Sequence, residues 1–238
     1  MNTFHHGGRI GDLMFALYTM KELGGGKLIL SDYHFPNWDL EIAANLAQFL
    51  EYQPYVKGVG FSVHGELPQV NYDLQKSEDD FNPESFPEWD KKCWPSNINI
   101  VKRYAVHFGV PYPPAESWLT APRDQDVDVV VHAPPHRLVR SALDWAQIIT
   151  ALADAGLRVR VLRVRDSFML TTNYVNSAKV FLGCVSSCNA LAEGLGKPTI
   201  VEQAEGCFNV RPTRSINGVK NIDVVKLVRG YCNAIKSL

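Results

Sequence analysis

No run of this chain is apolar for long enough to cross a bilayer. The longest near its start, from Leu13 to Met20, follows Asp12 and lacks the positive flank and downstream cleavage site of an export signal. A chain without a transmembrane segment, resident in the cytoplasm, is expected. Cysteine is sparse and poorly patterned: Cys93, Cys184, Cys188, Cys207 and Cys232 make an odd count with no CxxC pair, and the Cys184/Cys188 spacing has no companion histidine ligands. This argues against a disulfide framework and a zinc site, and predicts reduced, mostly buried thiols. Low-complexity tracts are absent too. With 46% hydrophobic and 21% charged residues over 238 positions, the composition is that of a globular protein of one large or two small domains.

Strong net charge is also lacking, but the total of −1 conceals an asymmetry. Residues 1–122 carry 9 Lys/Arg against 15 Asp/Glu, and residues 123–238 carry 15 against 10. The second half is therefore the better host for an anion. A polyanion such as nucleic acid would be repelled by the first half, so it is not an expected partner there. Arg158, Arg160, Arg163 and Arg165 alternate along one segment, which suits either an anion site or a solvated face.

What the chain does have is a glycine-rich turn at its start. His5-His6-Gly7-Gly8-Arg9-Ile10-Gly11-Asp12 leads directly into a helix-like run. A carboxylate delivered where a helix begins can stand at the mouth of a cleft and act as a base; Asp is equally a favoured N-cap. The surrounding pattern predicts a strand at 3–5, a helix at 12–23 ended by three glycines, a strand at 27–30, a helix at 40–50 and a strand at 58–63. An acidic, proline-bearing loop is predicted from 75 to 99, then a helix at 98–108.

The second half reads as repeated βαβ units. Strands are predicted at 127–133, 157–162, 179–182 and 198–202, with helices at 143–155, 189–194 and 222–236. The expected fold class is α/β: two Rossmann-like, doubly wound domains, 1–122 and 123–238, facing across a ligand crevice at the carboxyl ends of their strands. Closure about the junction near residues 121–123 is a further expectation.

Four segments, in order, carry a resemblance. They are Gly11-Asp12-Leu13-Met14-Phe15-Ala16-Leu17, Val130-Val131-His132-Ala133-Pro134-Pro135, Arg140-Ser141-Ala142-Leu143-Asp144-Trp145, and the run from Val180 to Pro198. Together they resemble the heptosyltransferase-like glycosyltransferases of glycosyltransferase family 9, which have the GT-B fold. The match departs from the family in its C-terminal turn. An Asp, a Ser or Thr and a Gly, with His three residues later, are replaced here by Val185, Ser186, Ser187 and Ala190. The chain is also compact for this fold and similar to phage-encoded members.

The resemblance implies a metal-independent, inverting hexosyl- or heptosyltransferase, moving sugar from a nucleotide-sugar donor to an acceptor hydroxyl, with no resident cofactor. Asp12 is then the candidate base. Arg140, with Arg137 as a substitute, would meet the charge of the departing diphosphate; Ser186, Ser187 and Asn189 would supply hydroxyls and amides. His132 and Glu202, at strand ends, are candidates for the rest of the donor. His5, His6, Gly8, Arg9 and Gly11 flank the turn on the acceptor side, and Trp38 offers a face on which a sugar could stack. Two alternatives stay open: a sugar-nucleotide epimerase using the same cleft, and a non-catalytic nucleotide-sugar-binding or scaffold protein, which the replacements at Val185 and Ala190 favour. The oligomeric state is not legible.

Overall fold

A computed structural model of the chain describes residues 1–7, 9–31, 40–62, 69–75, 99–133, 143–163, 166–202 and 224–236. The predicted 75–99 loop lies almost wholly outside them. In the first half, β1 (Asn2–His6) leads into α1 (Ile10–Glu22), followed by β2 (Gly26–Ser31), α2 (Leu40–Glu51), β3 (Val56–Ser62), β4 (Tyr72–Asp73) and α3 (Ile100–Phe108). These strands form a parallel sheet in the order β3-β2-β1-β4. In the second half come β5 (Val129–His132), α4 (Trp145–Asp154), β6 (Val159–Val161), α5 (Phe168–Ser177), β7 (Val180–Cys184), α6 (Ser187–Gly194), β8 (Thr199–Glu202) and α7 (Val224–Lys236). Their sheet is also parallel, ordered β6-β5-β7-β8.

In each sheet the order in which the chain lays down its strands reverses once, between β1 and β4 and between β5 and β7. Such switch points open a crevice at the carboxyl ends of the strands, where ligands of doubly wound sheets bind. The two predicted α/β halves are thus present, while β4 and α5 had not been anticipated.

Helix α1 begins two residues earlier than expected. Its N-cap is Arg9, which makes no side-chain cap, so Asp12 stands inside the first turn and is not the cap residue. The helix is buried without interruption from Leu13 to Met20. An apolar face all round means packing on every side: α1 lies against its own sheet, against α3 and against α6 of the other half. One core therefore runs through the molecule, joining Phe4, Leu17, Leu28, Phe49 and Tyr104 to Val130, Phe181, Ala190 and Leu191. Each such large apolar side chain contributes about 1.5–3 kcal/mol relative to exposure. On the opposite face of the second sheet, Val129, Val131, Val180 and Leu182 pack with Leu152, Val224 and Val228. The period-2 alternation along β5 and β7 divides their side chains between the two clusters.

The segment joining the halves is a strap tied to both. Trp118 donates its indole N–H to Met14 O of α1 at 2.8 Å, and the amides of Trp118 and Leu119 both reach Gly194 O of α6 at 3.0 Å. Gln53 exchanges two hydrogen bonds with the Thr120 backbone, and Asn176 of α5 donates to Ala121 O at 2.6 Å. Two of the alternating arginines, Arg158 and Arg160, are engaged within the second half. Arg158 grips Asp128 through Nε at 2.9 Å and also pairs with Asp126; Arg160 pairs with Asp166 at 3.0 Å and lies over the Tyr174 ring. These two form a structural network and not an open anion site. Cys184 and Cys232 are buried free thiols and Cys188 is half-buried. Among the described residues, no helix is long and apolar enough to cross a membrane.

Candidate active site

The helix starts at the two switch points meet. A Cβ placed on Gly11 would stand 3.6 Å from Ser187 Cα, which is ordinary contact, so the first turn of α1 lies directly on the first turn of α6. Asp12, half-buried, follows Gly11 in that turn, and Arg9 is exposed at its start. Residues from opposite ends of the chain, Asp12 and Ser186–Ser187, are thereby brought to one junction.

Around α6 the polar groups are locally ordered. Ser186 caps the helix, accepting the Asn189 amide at 3.4 Å, and its hydroxyl donates to Cys184 O at 3.3 Å. Its remaining lone pair takes the Nδ1–H of His132 at 3.1 Å. The arrangement that satisfies all three bonds puts the imidazole proton on Nδ1 and leaves Nε2 as an acceptor. Burial pushes the His132 pKa below its usual value, so the ring is neutral near pH 7. Burial likewise raises the Cys184 thiol to about 11 and the Cys188 thiol to about 12, which makes both poor nucleophiles. With the Asn189 amide engaged by the cap, the Ser187 and Cys188 amides are those of the first turn that no intrahelical bond takes up.

Several candidates stand elsewhere than expected. The His5 ring is inside the first half, bonded at Nδ1 to Asp73 at 2.8 Å and at Nε2 to Ser31 at 2.9 Å. His6 is also buried, with Nε2 3.4 Å from Tyr104 OH. Neither ring is presented to an acceptor, because β1 is a central strand and its end is enclosed by β2, β4 and α3. The Asn189 side chain is 1% exposed and belongs to the core of α6. Glu202 is buried at the end of β8 and accepts the Leu143 amide at 3.2 Å, so it anchors the approach to α4. Gly8, Trp38, Arg137 and Arg140 lie outside the described residues. No three His, Cys, Asp or Glu side chains among the described residues group as metal ligands.

Sequence reasoning missed Ser31, Asp73, Gln75 and Tyr104, all of which hold the β1 end. Ser31 closes a legible strand and was within reach as the polar residue after Leu28-Ile29-Leu30. Asp73 and Gln75 had no such signal, since β4 is two residues long.

Two doubly wound parallel sheets, sharing a central core and meeting at paired helix starts, make this a GT-B-type fold. Solved structures agree with that assignment. The chain is similar to E. coli heptosyltransferase WaaC with ADP-2-deoxy-2-fluoro heptose, at TM-score 0.60 and 12% identity over 99% of this chain and 97% of that one. It is also similar to E. coli ADP-heptose lps heptosyltransferase II, at TM-score 0.57 and 12% identity over 99% and 100%. A third likeness is a glycosyl transferase family 9 protein from Veillonella parvula, at TM-score 0.58 and 10% identity over 96% and 90%. The fold implied by the sequence resemblance is the fold observed. No protein-family model and no curated protein sequence matches the chain.

Proposed function

We propose that the chain is a glycosyltransferase that moves a sugar from a nucleoside-diphosphate donor to an acceptor hydroxyl with inversion. The observation that carries this is the contact between Gly11 and Ser187, which brings the first turn of α1, where Asp12 stands, against the N-terminus of α6. The fold supports the same reading, and the WaaC structure to which the chain is similar holds an ADP-sugar analogue.

In this reading the diphosphate lies against the Ser187 and Cys188 amides, where the positive end of α6 and its unpaired N–H groups favour an anion. Arg140, with Arg137 as substitute, adds the cation that stabilises charge on the leaving group. Neutral His132 offers Nε2 to a donor hydroxyl or base N–H. The acceptor oxygen attacks the anomeric carbon from the face opposite the diphosphate: the new C–O bond forms as the bond to the β-phosphate oxygen breaks. Asp12 takes the acceptor proton, and the nucleoside diphosphate departs with the electron pair. General-base assistance of this kind contributes about 10²–10⁴-fold. The charge on the leaving group is met by amides and guanidinium, so no metal is required.

The test is a calorimetric screen of nucleotide sugars on the wild type, Arg140→Ala and Asp12→Asn, followed by turnover with the best binder. Asp12→Asn is expected to bind the donor normally and to lose at least about 100-fold in turnover; Arg140→Ala weakens binding. Turnover is expected to persist in excess chelator. A wild type that binds no nucleotide sugar overturns the proposal. One observation favours a second reading, a non-catalytic nucleotide-sugar binder: Ala190 is fully buried, so the place of the family's histidine is occupied here by core packing. Donor binding without turnover by any acceptor would establish that reading instead.

A further inference from the structure

We infer that Gln75, Asp73, His5 and Ser31 form a positioning network that aims Asp12; this inference rests on the transferase reading above. The parallel ladder between β1 and β4 ends where Leu74 N reaches His5 O at 2.9 Å. The next outward amide of β1 belongs to Gly7, one residue past the end of the strand, and β4 ends at Asp73. Gln75 fills that place with a side chain, its Oε1 accepting Gly7 N–H at 3.2 Å. The ladder is thereby extended one residue into the turn that carries Asp12.

Gln75 is in turn held from behind. Its own amide donates to Asp73 Oδ1 at 3.2 Å, and the same oxygen accepts His5 Nδ1–H at 2.8 Å. With Nδ1 protonated, His5 Nε2 accepts the Ser31 hydroxyl at 2.9 Å, so a chain of hydrogen bonds crosses three adjacent strands, β4, β1 and β2. Gln75, His5 and Ser31 are all at least 95% buried, and a buried polar chain of this kind is costly unless every member is satisfied. Water cannot substitute readily for its bonds. Its outer end is Gly7; two residues on, Arg9 O accepts the Leu13 amide at 2.8 Å and α1 begins, with Asp12 in the first turn. The network fixes the point from which the turn departs, and with it the direction of the carboxylate.

An Asp-His-Ser order invites comparison with a hydrolytic triad, but Ser31 is 3% exposed and its hydroxyl is spent on His5. The geometry points to positioning and not to nucleophilic attack.

The test uses steady-state transfer kinetics with thermal melting of each variant. Gln75→Leu keeps the volume and removes the acceptor of Gly7 N–H; Gln75→Glu restores an oxygen there. Asp128→Asn, in the other half and remote from the turn, is the control for lost stability alone. Gln75→Leu is expected to lower kcat about tenfold, the worth of one hydrogen bond held in the transition state, with donor KM within about twofold. Gln75→Glu recovers most of that loss, and Asp128→Asn leaves kcat unchanged while lowering Tm. Ser31→Ala, at the far end of the chain, gives a smaller fall in kcat in the same direction. An active wild type whose kcat is unmoved in Gln75→Leu overturns this inference alone. An inert wild type overturns the transferase reading, and the purpose assigned to the network falls with it.

Discussion

Ser186 shows how one side chain is divided between holding a helix and facing a ligand. Its oxygen caps α6 and accepts the His132 Nδ1–H hydrogen bond, so Ser186→Ala is expected to cost about 1 kcal/mol in denaturant unfolding. Ser186→Asp keeps a capping oxygen and adds a negative charge beside the proposed diphosphate. It should therefore retain stability within about 0.5 kcal/mol while weakening nucleotide binding at least tenfold by calorimetry. Equal loss of binding in both variants would show that the hydroxyl itself, and not the charge, matters there. Asp128 belongs to stability alone. The Arg158 guanidinium, with Lys179 Nζ at 2.7 Å, holds its carboxyl well below the usual carboxylate range. A depressed pKa stabilises the fold above the unfolded value of about 3.9 and ceases to do so as the pH falls through the folded one. Asp128→Asn should lower stability near neutral pH by about 1.5–3 kcal/mol and flatten the acid limb below about pH 4 in urea titrations. Asp12 and Ser186 were legible because each stands next to a local pattern, a glycine turn or a helix start. His5 and His6 misled for the opposite reason: what fixes their rings is Asp73 and Tyr104, 68 and 98 residues away.

At the level of elements, legibility followed the strength of the local signal. Strands β5 and β7 were readable as continuous apolar runs because both of their faces are covered, whereas β6 alternates valine with arginine and is only half-buried. Helix α4 was readable from its apolar spacing, with Asp144 as its cap and Gly156 beyond its end. Helix α5 was missed: its buried face is Thr171, Thr172, Val175 and Ser177, so the period that marks a helix is written in small polar residues. It is nevertheless an element of the junction, since Phe168 packs edge-on against Phe49 of α2 at 5.2 Å between ring centroids. The end of α1 shows a glycine that the geometry does demand. Gly25 has φ of +70°, and a Cβ there would lie 2.1 Å from Tyr55 O, in the loop that brings the chain to β3. Gly25→Ala combines left-handed strain with a backbone clash. It should destabilise by about 2–4 kcal/mol in chemical denaturation, against about 1–2 kcal/mol for the same change at Gly24, where φ of +85° brings the strain but the open surroundings bring no clash.

For the whole molecule, the sequence pattern suggested two domains with a cleft and a hinge near residues 121–123, whereas the interior is shared. Helix α1 fills the space between the first sheet and α6, and the strap 118–122 is hydrogen-bonded to α1, α5 and α6 through Met14, Asn176 and Gly194, and to Gln53 in the loop after α2. A rigid-body opening at residue 122 would have to separate Phe49 from Phe168 and Gly11 from Ser187. Apolar surface of that extent cannot be exposed by one half without cost to the other. The halves should therefore unfold together. Tryptophan fluorescence, which includes Trp118 of the strap, and far-UV circular dichroism are expected to give coincident urea transitions, with calorimetric and van't Hoff enthalpies in agreement. Expressed separately, residues 1–122 would leave one side of α1 bare and residues 123–238 would leave Ala190, Leu191 and Phe181 under-packed. Neither fragment should show a cooperative melt, and mixing the two should restore one. Two resolved transitions in the intact chain would mean that the junction behaves as an interface between independent domains, and only then does closure about 121–123 become the natural motion for bringing Asp12 to a bound donor.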